Sequence, residues 1–152
     1  MLIPEKPLAG MNSMSGKFFL DTNIIVYTFS TQTEKQQKAR ELLETALNQQ
    51  TGCISTQVIQ EFINVATRKF EKPLTIKDCV IYLDEILTPL CEIFPDIALY
   101  EKALNITERW QFGFYDALII AAAIEAKCDT LYSEDLQHQQ TIESIQVINP
   151  FV

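Results

Sequence analysis

An α/β fold built on a central, mainly parallel sheet of five strands flanked by helices is predicted by three features of this chain. Short apolar runs of strand length alternate with longer stretches of helical periodicity, the pattern of parallel strands joined through helices. The segment Tyr115 to Lys127 is apolar nearly all round, which suits a helix packed centrally. Turn and cap residues fall between these stretches, at Gly52, Pro73 and Pro95.

The elements follow in order. KFFLD, from Lys17 to Asp21, reads as a buried strand that gives way through Thr22 and Asn23 to a helix in IIVYTF. Thr33 to Gln50 carries Ala39, Leu42, Leu43, Ala46 and Leu47 at helical spacing and is an amphipathic helix. Gly52 introduces a second strand, GCIS, and Ser55 or Thr56 caps a helix that runs to about Phe70 and is stopped by Pro73. Thr75 starts a helix ending near Pro89, CEIF is a third strand, and Asp96 to Trp110 forms a helix behind Pro95. After the apolar helix, DTLYS is a fourth strand, a short helix is expected from Asp135, and IQVIN is a fifth strand.

A chain of 152 residues with 47% hydrophobic content has the size of one domain with a sizeable core, placed at residues 17–152. Residues 1–16, with two prolines, two glycines and no apolar h-region, read as an extension and not a secretory signal. The longest apolar run is too short to cross a bilayer. Cys53, Cys79, Cys91 and Cys128 lack the close spacing of a zinc site and read as reduced core thiols, a usage that fits the cytoplasm. The net charge of −8, from 20 acidic and 12 basic residues, provides no general attraction to a polyanion, so any nucleic-acid binding must be local or metal-assisted.

Acids in apolar company are the informative feature: Asp21 in FFLDTNIIVY, Glu61 in STQVIQEFINVA, Asp116 in FYDALIIAAAIEA and Asp135 in TLYSEDLQ. A carboxylate in such a setting needs a partner, because an isolated charge withdrawn from water is costly. Each has a structural alternative. Asp21 and Asp135 can cap the elements that follow them, and Asp116 complements a helix dipole in its first turn. Glu61 belongs to a polar row with Gln57, Asn64 and Arg68 that is either a solvated face or the rim of a site. Taken together, two acids at strand ends and two on helices can converge at one sheet edge. Like charges 4 Å apart repel by about 4 kcal/mol at an effective dielectric of 20, so convergence calls for a hard cation. An oxygen-only ligand set suits Mg²⁺ or Mn²⁺.

The blocks FFLDTNIIVY, STQVIQEF, YDALIIAAA and LYSEDL, in that order and spacing, resemble those of the PIN-domain ribonucleases, particularly the VapC-like toxins of toxin–antitoxin pairs. The resemblance covers about Lys17 to Val152 and implies a PIN-like three-layer domain. It matches Asp21, Glu61, Asp116 and Asp135 to the family's four acids, and Thr22, Asn23 and Ser133 to its small polar positions around the metal. Two departures are that Ser133 stands where Thr is frequent and that Glu134 adjoins the fourth acid. The activity implied is Mg²⁺- or Mn²⁺-dependent hydrolysis of RNA phosphodiester bonds, with an antitoxin protein as partner and a homodimer as assembly. A catalytically inactive module of the same fold, binding RNA or a protein, is the alternative.

Other chemistries fare worse. His138 is the only histidine, which excludes a two-histidine ribonuclease, and no GxSxG elbow supplies a serine nucleophile. A phosphotransferase built on Asp21 would usually carry a second acid where Asn23 stands, and no glycine-rich phosphate loop is present. Substrate contacts are expected from Arg68, Lys69 and Lys72 or from Lys35, Lys38 and Arg40, each also readable as solvated charge. Trp110, Phe112, Phe114 and Tyr115 offer either base stacking or core and dimer packing.

Overall fold

In the computed structural model, which describes residues 16–152, the sheet has six strands. They are β1 (Phe18–Leu20), β2 (Gly52–Ser55), β3 (Cys91–Ile93), β4 (Thr130–Tyr132), β5 (Thr141–Ile142) and β6 (Ile145–Ile148), in the order β3-β2-β1-β4-β6-β5. All neighbours are parallel except β5 and β6. Five of these are the expected strands. The sixth, β5, is a two-residue strand folded back on β6 by the turn Glu143–Ser144, with Glu143 in the left-handed region at φ 52°. Two residues are too few to show a period, which is why the sequence pattern does not reveal it.

Helices occupy the connections: α1 (Thr22–Tyr27), α2 (Thr33–Gln49), α3 (Thr56–Arg68), α4 (Ile76–Tyr82), α5 (Thr88–Leu90), α6 (Ile97–Trp110) and α7 (Phe114–Glu125). The long helix expected between Thr75 and Pro89 is present, with one π-type turn at Leu83–Leu87 between α4 and α5. Asp96 caps α6 by accepting the Leu99 amide at 2.7 Å. Helix α7 is central, as its all-round apolarity predicts, with Ala117 to Ala123 continuously buried. The helix expected after Asp135 does not form. Residues 134–140 make bends and a turn, in which the Glu134 amide donates to Asn23 Oδ1 and the Asp135 amide to Ser133 Oγ.

Glycine 52 shows how closely the layers pack. A Cβ there would overlap the Ala46 side chain and stand 2.7 Å from Phe18 Cε2, so α2 can lie on β2 only where no side chain intervenes. Gly52→Ala is therefore expected to destabilise the protein by about 1–3 kcal/mol through overpacking, read as a lower midpoint in chemical denaturation.

The sheet order carries a functional consequence. From β1 the chain builds outward through β2 and β3, then returns to the other side of β1 with β4 and β6. That reversal between β1 and β4 is the position at which open α/β sheets bind ligands, in the crevice beyond the strands' carboxyl ends. Of the proposed leader, residues 1–16, only Gly16 falls within the described residues.

Candidate active site

Asp21 follows β1 directly and Ser133 follows β4, so both stand at that crevice. Asp21 is only 7% exposed and Ser133 is fully enclosed. Asp21 Oδ1 accepts the Thr22 amide at 2.7 Å, so it does cap α1. Its Oδ2 accepts the Ser133 hydroxyl at 2.7 Å and the Asn23 amide at 3.4 Å. The same Asn23 amide donates to Asp135 Oδ2 at 3.1 Å, standing between the two carboxylates. Thr22 donates its hydroxyl to Glu61 Oε1 at 2.7 Å. Thr22 and Asn23 thus lie between Asp21 and two further acids.

Glu61 is half-buried, and the row it belongs to divides. Gln57 is buried with its amide donating to the Tyr115 carbonyl at 3.2 Å, and Glu61 meets Thr22, whereas Asn64 and Arg68 are exposed. The polar row bonds neighbouring elements at its first two members and is a solvated face at the others. Asp116 sits in the first turn of α7 and is exposed, as is Asp135. The expectation that apolar neighbours mean a buried acid therefore holds for Asp21 and not for these two. The apolar surroundings of Asp116 begin one residue later, at Ala117, where α7 enters the core.

The electrostatics join the four. Burial pushes the Asp21 carboxyl up to about 6 against the hydrogen bonds from Ser133 and Thr22, and the negative charges of Asp135 and Glu61 push the same way. Asp116 is raised by partial burial and then by Asp135. Glu134, adjacent in sequence to Asp135, faces elsewhere: Lys35 Nζ lies 3.2 Å from its Oε2 and Tyr27 donates to its Oε1 at 2.8 Å. That Tyr27–Lys35–Glu134 group is invisible in the sequence, since 99 residues separate the charged pair.

Among the described residues no three acidic, His or Cys side chains are gathered tightly enough to hold an ion as they stand. Unneutralised carboxylates repel, and Asp116 and Asp135 are both exposed. The donor chemistry nevertheless fits a hard cation. All the groups are oxygen donors apart from the bridging amide of Asn23, and the charges acting on Asp21 are negative.

Of the other candidates, Arg40 Nε donates to the Thr28 carbonyl at 3.0 Å and Lys35 pairs with Glu134, so this cluster is largely engaged in the fold. Arg68, Lys69 and Lys72 are exposed. Trp110, Phe112 and Phe114 pack against the core, with Trp110 Nε1 donating to Glu143 at 2.9 Å, while Tyr115 is 69% exposed. His138 is exposed in a turn, its Nδ1 accepting the Asn149 amide at 3.0 Å. No described helix is long and apolar enough to cross a membrane.

None of the curated proteins matches the sequence significantly. Similar solved structures include a toxin–antitoxin complex from Klebsiella pneumoniae, with a TM-score of 0.65, 19% identity, and coverage of 88% of this chain and 98% of that one. A DNA-bound VapBC from Salmonella typhimurium gives a TM-score of 0.60 at 23% identity, covering 86% of this chain and 96% of that one. A VapC toxin from Mycobacterium tuberculosis, described as cleaving the sarcin–ricin loop, gives 0.59 at 17% identity over 78% of this chain and 90% of that one. At these identities the likeness concerns the fold. The family model described as PIN domain matches residues 18–143, most of the chain. With a sheet that reverses at β1 and β4 and an acid at the end of β1, the chain belongs to the PIN domain family.

Proposed function

We propose that this protein is a Mg²⁺- or Mn²⁺-dependent endoribonuclease, the toxin of a toxin–antitoxin pair, acting in the cytoplasm. The observation that carries this reading is the buried Asp21, whose charged neighbours Glu61 and Asp135 are both acids, at the switch point of a PIN fold. Asp21, Asp116 and Asp135 would hold the cation, with Glu61 completing its coordination or orienting water. When bound, such a cation lowers the pKa of a water and offsets the charge of the phosphate oxygens.

The remaining work falls to the chain. Ser133 and the Thr22 amide keep Asp21 oriented and partly offset the burial that favours its protonated form. Thr22 occupies one oxygen of Glu61 and leaves the second available to orient a water. Asn23 spaces Asp21 from Asp135 without adding charge. Ser133→Ala removes the shortest side-chain bond to Asp21, and the expected loss is about 10–100-fold in RNA cleavage at limiting Mg²⁺, the usual effect of losing a group that orients a ligand. A cleavage titration in Mg²⁺ reads it.

An antitoxin protein as inhibitor, supported by the toxin–antitoxin complexes among the similar folds, and a homodimer as assembly complete the proposal. The test is Mg²⁺-dependent cleavage of a broad RNA panel by the purified protein, alone and with the product of an adjacent small gene. Binding without cleavage across the panel would favour the inactive module.

A further inference from the structure

Glu134 is a fifth acid at the edge of the crevice, and its side chain is held out of it. The residues on either side of it work in the site: Ser133 donates to Asp21, and Asp135 accepts the Asn23 amide on its Oδ2. The Glu134 backbone amide donates to Asn23 Oδ1 at 3.1 Å, which leaves the Asn23 nitrogen as the atom that faces Asp21 and Asp135. One side of the segment 133–135 is thus bonded to the acidic crevice.

The other side carries the Glu134 carboxylate into a closed group. Tyr27 donates to its Oε1 at 2.8 Å, Lys35 Nζ donates to its Oε2 at 3.2 Å, and Lys35 Nζ also donates to the Tyr27 hydroxyl at 3.2 Å. The ammonium lies 4.7 Å from the Tyr27 ring centroid and 5.5 Å from that of Phe151, and the two rings meet edge to face at 4.8 Å. An isolated surface ion pair contributes little, but here both charged side chains are half-buried and each is held by more than one contact. Lys35 stands in the first turn of α2, where a positive charge opposes the helix dipole, so its favourable partners are these groups and not the helix. Tyr27 ends α1, the helix whose first residues, Thr22 and Asn23, bond Glu61, Asp21 and Asp135.

We propose that Lys35 and Tyr27 are positioning residues for the fourth acid. By gripping Glu134 they fix the segment 133–135 so that Asp135 is presented to the cation, and they keep a fifth carboxylate off the site. This rests on the metal-dependent ribonuclease reading and gives that site a support reaching from α1 and α2.

Charge alone gives the opposite expectation. Removing Lys35 makes the surroundings of the acids more negative, and Coulomb attraction would then tighten cation binding. Loss of position loosens it. The sign of one affinity change therefore separates the two, and a Lys35 that served only to contact RNA would leave the cation to follow charge.

Binding of Mn²⁺ to the full chain is measured without RNA, from the electron spin resonance signal of the free ion. Lys35→Met should weaken it by about tenfold or more, the usual effect of losing a group that orients a metal's ligands, and Lys35→Arg, which keeps the charge and the donors, should restore most of it. Tyr27→Phe deletes the hydroxyl without altering the charge, so it should weaken binding in the same direction. Without metal, hydrogen exchange at the Glu134 and Asp135 amides should quicken in Lys35→Met and Tyr27→Phe while circular dichroism shows the fold intact.

Equal or tighter Mn²⁺ binding by these two variants, with wild type still cleaving RNA, would overturn the positioning role and leave the ribonuclease standing. Weaker binding that tracks a general loss of structure, is absent in Tyr27→Phe and is not restored by Lys35→Arg would overturn it in favour of a stabilising role. Weaker binding by both folded variants of a protein that cleaves no RNA would support the positioning role and remove the ribonuclease reading. Failure of wild type to bind Mn²⁺ would overturn both.

Discussion

Asp21→Asn is expected to abolish Mg²⁺-dependent RNA hydrolysis, with a fall of about 10³-fold or more, equivalent to about 4 kcal/mol of transition-state stabilisation. The substitution is nearly isosteric, and the amide oxygen can still accept from Ser133 or from the Thr22 backbone, so the fold survives. What it removes is the charge. Asp21 is the one acid of the four held out of water, with both oxygens already oriented, so no neighbour can replace it by a change of rotamer. Asp116→Asn, at an exposed position, should cost activity without altering stability. A single-turnover cleavage assay with circular dichroism on the same samples separates chemistry from folding. Undiminished cleavage by well-folded Asp21→Asn protein would remove the metal-nuclease reading and trace the activity to a contaminant.

Parts of this arrangement were legible because local pattern and tertiary environment agree. Asp21 lies between FFL and IIV, and both flanks are core, so the reading of a buried acid held. Helix α7 is apolar on every side because every side of its middle is covered. Where pattern and environment diverge, the sequence misleads. Asp116 has the same apolar company, yet a first-turn side chain projects from the helix mouth before the buried turns begin. The segment after β4 has residues a short helix would accept, yet it forms bends and a turn tied to Asn23, which stands 111 residues from Glu134 in the chain. The polar row on α3 looks uniform in sequence and is not, because only Gln57 and Glu61 face another element closely enough to bond it. Contacts between distant residues decide these cases, and no local period records them.

The buried charge of Asp21 should make stability depend on pH and on metal in opposite directions. Its carboxyl is raised from the ordinary 3.8 to about 6, first by burial, so the folded state binds this proton more tightly than the unfolded chain does. Without metal, the contribution of this group is most favourable below about pH 4, is lost as pH rises toward and through 6, and stays lost at neutrality. The loss is about 3 kcal/mol by linkage. A divalent cation competes with that proton and binds the ionised form, so its stabilisation should be small at pH 5 and full above pH 7, reaching about 3 kcal/mol at a hundred times its dissociation constant. In EDTA the melting temperature should therefore drop between pH 5 and 7.5, and millimolar Mg²⁺ should restore it at pH 7.5. Asp21→Asn carries no ionisable group there, so its melting temperature should change less with pH, respond weakly to Mg²⁺, and exceed that of wild type in EDTA at pH 7.5. Equal Mg²⁺ responses in the two proteins would place the cation elsewhere, and a flat wild-type profile in EDTA would mean that Asp21 is not held against its charge. Either result separates burial from metal binding, because the first acts without the cation and the second requires it.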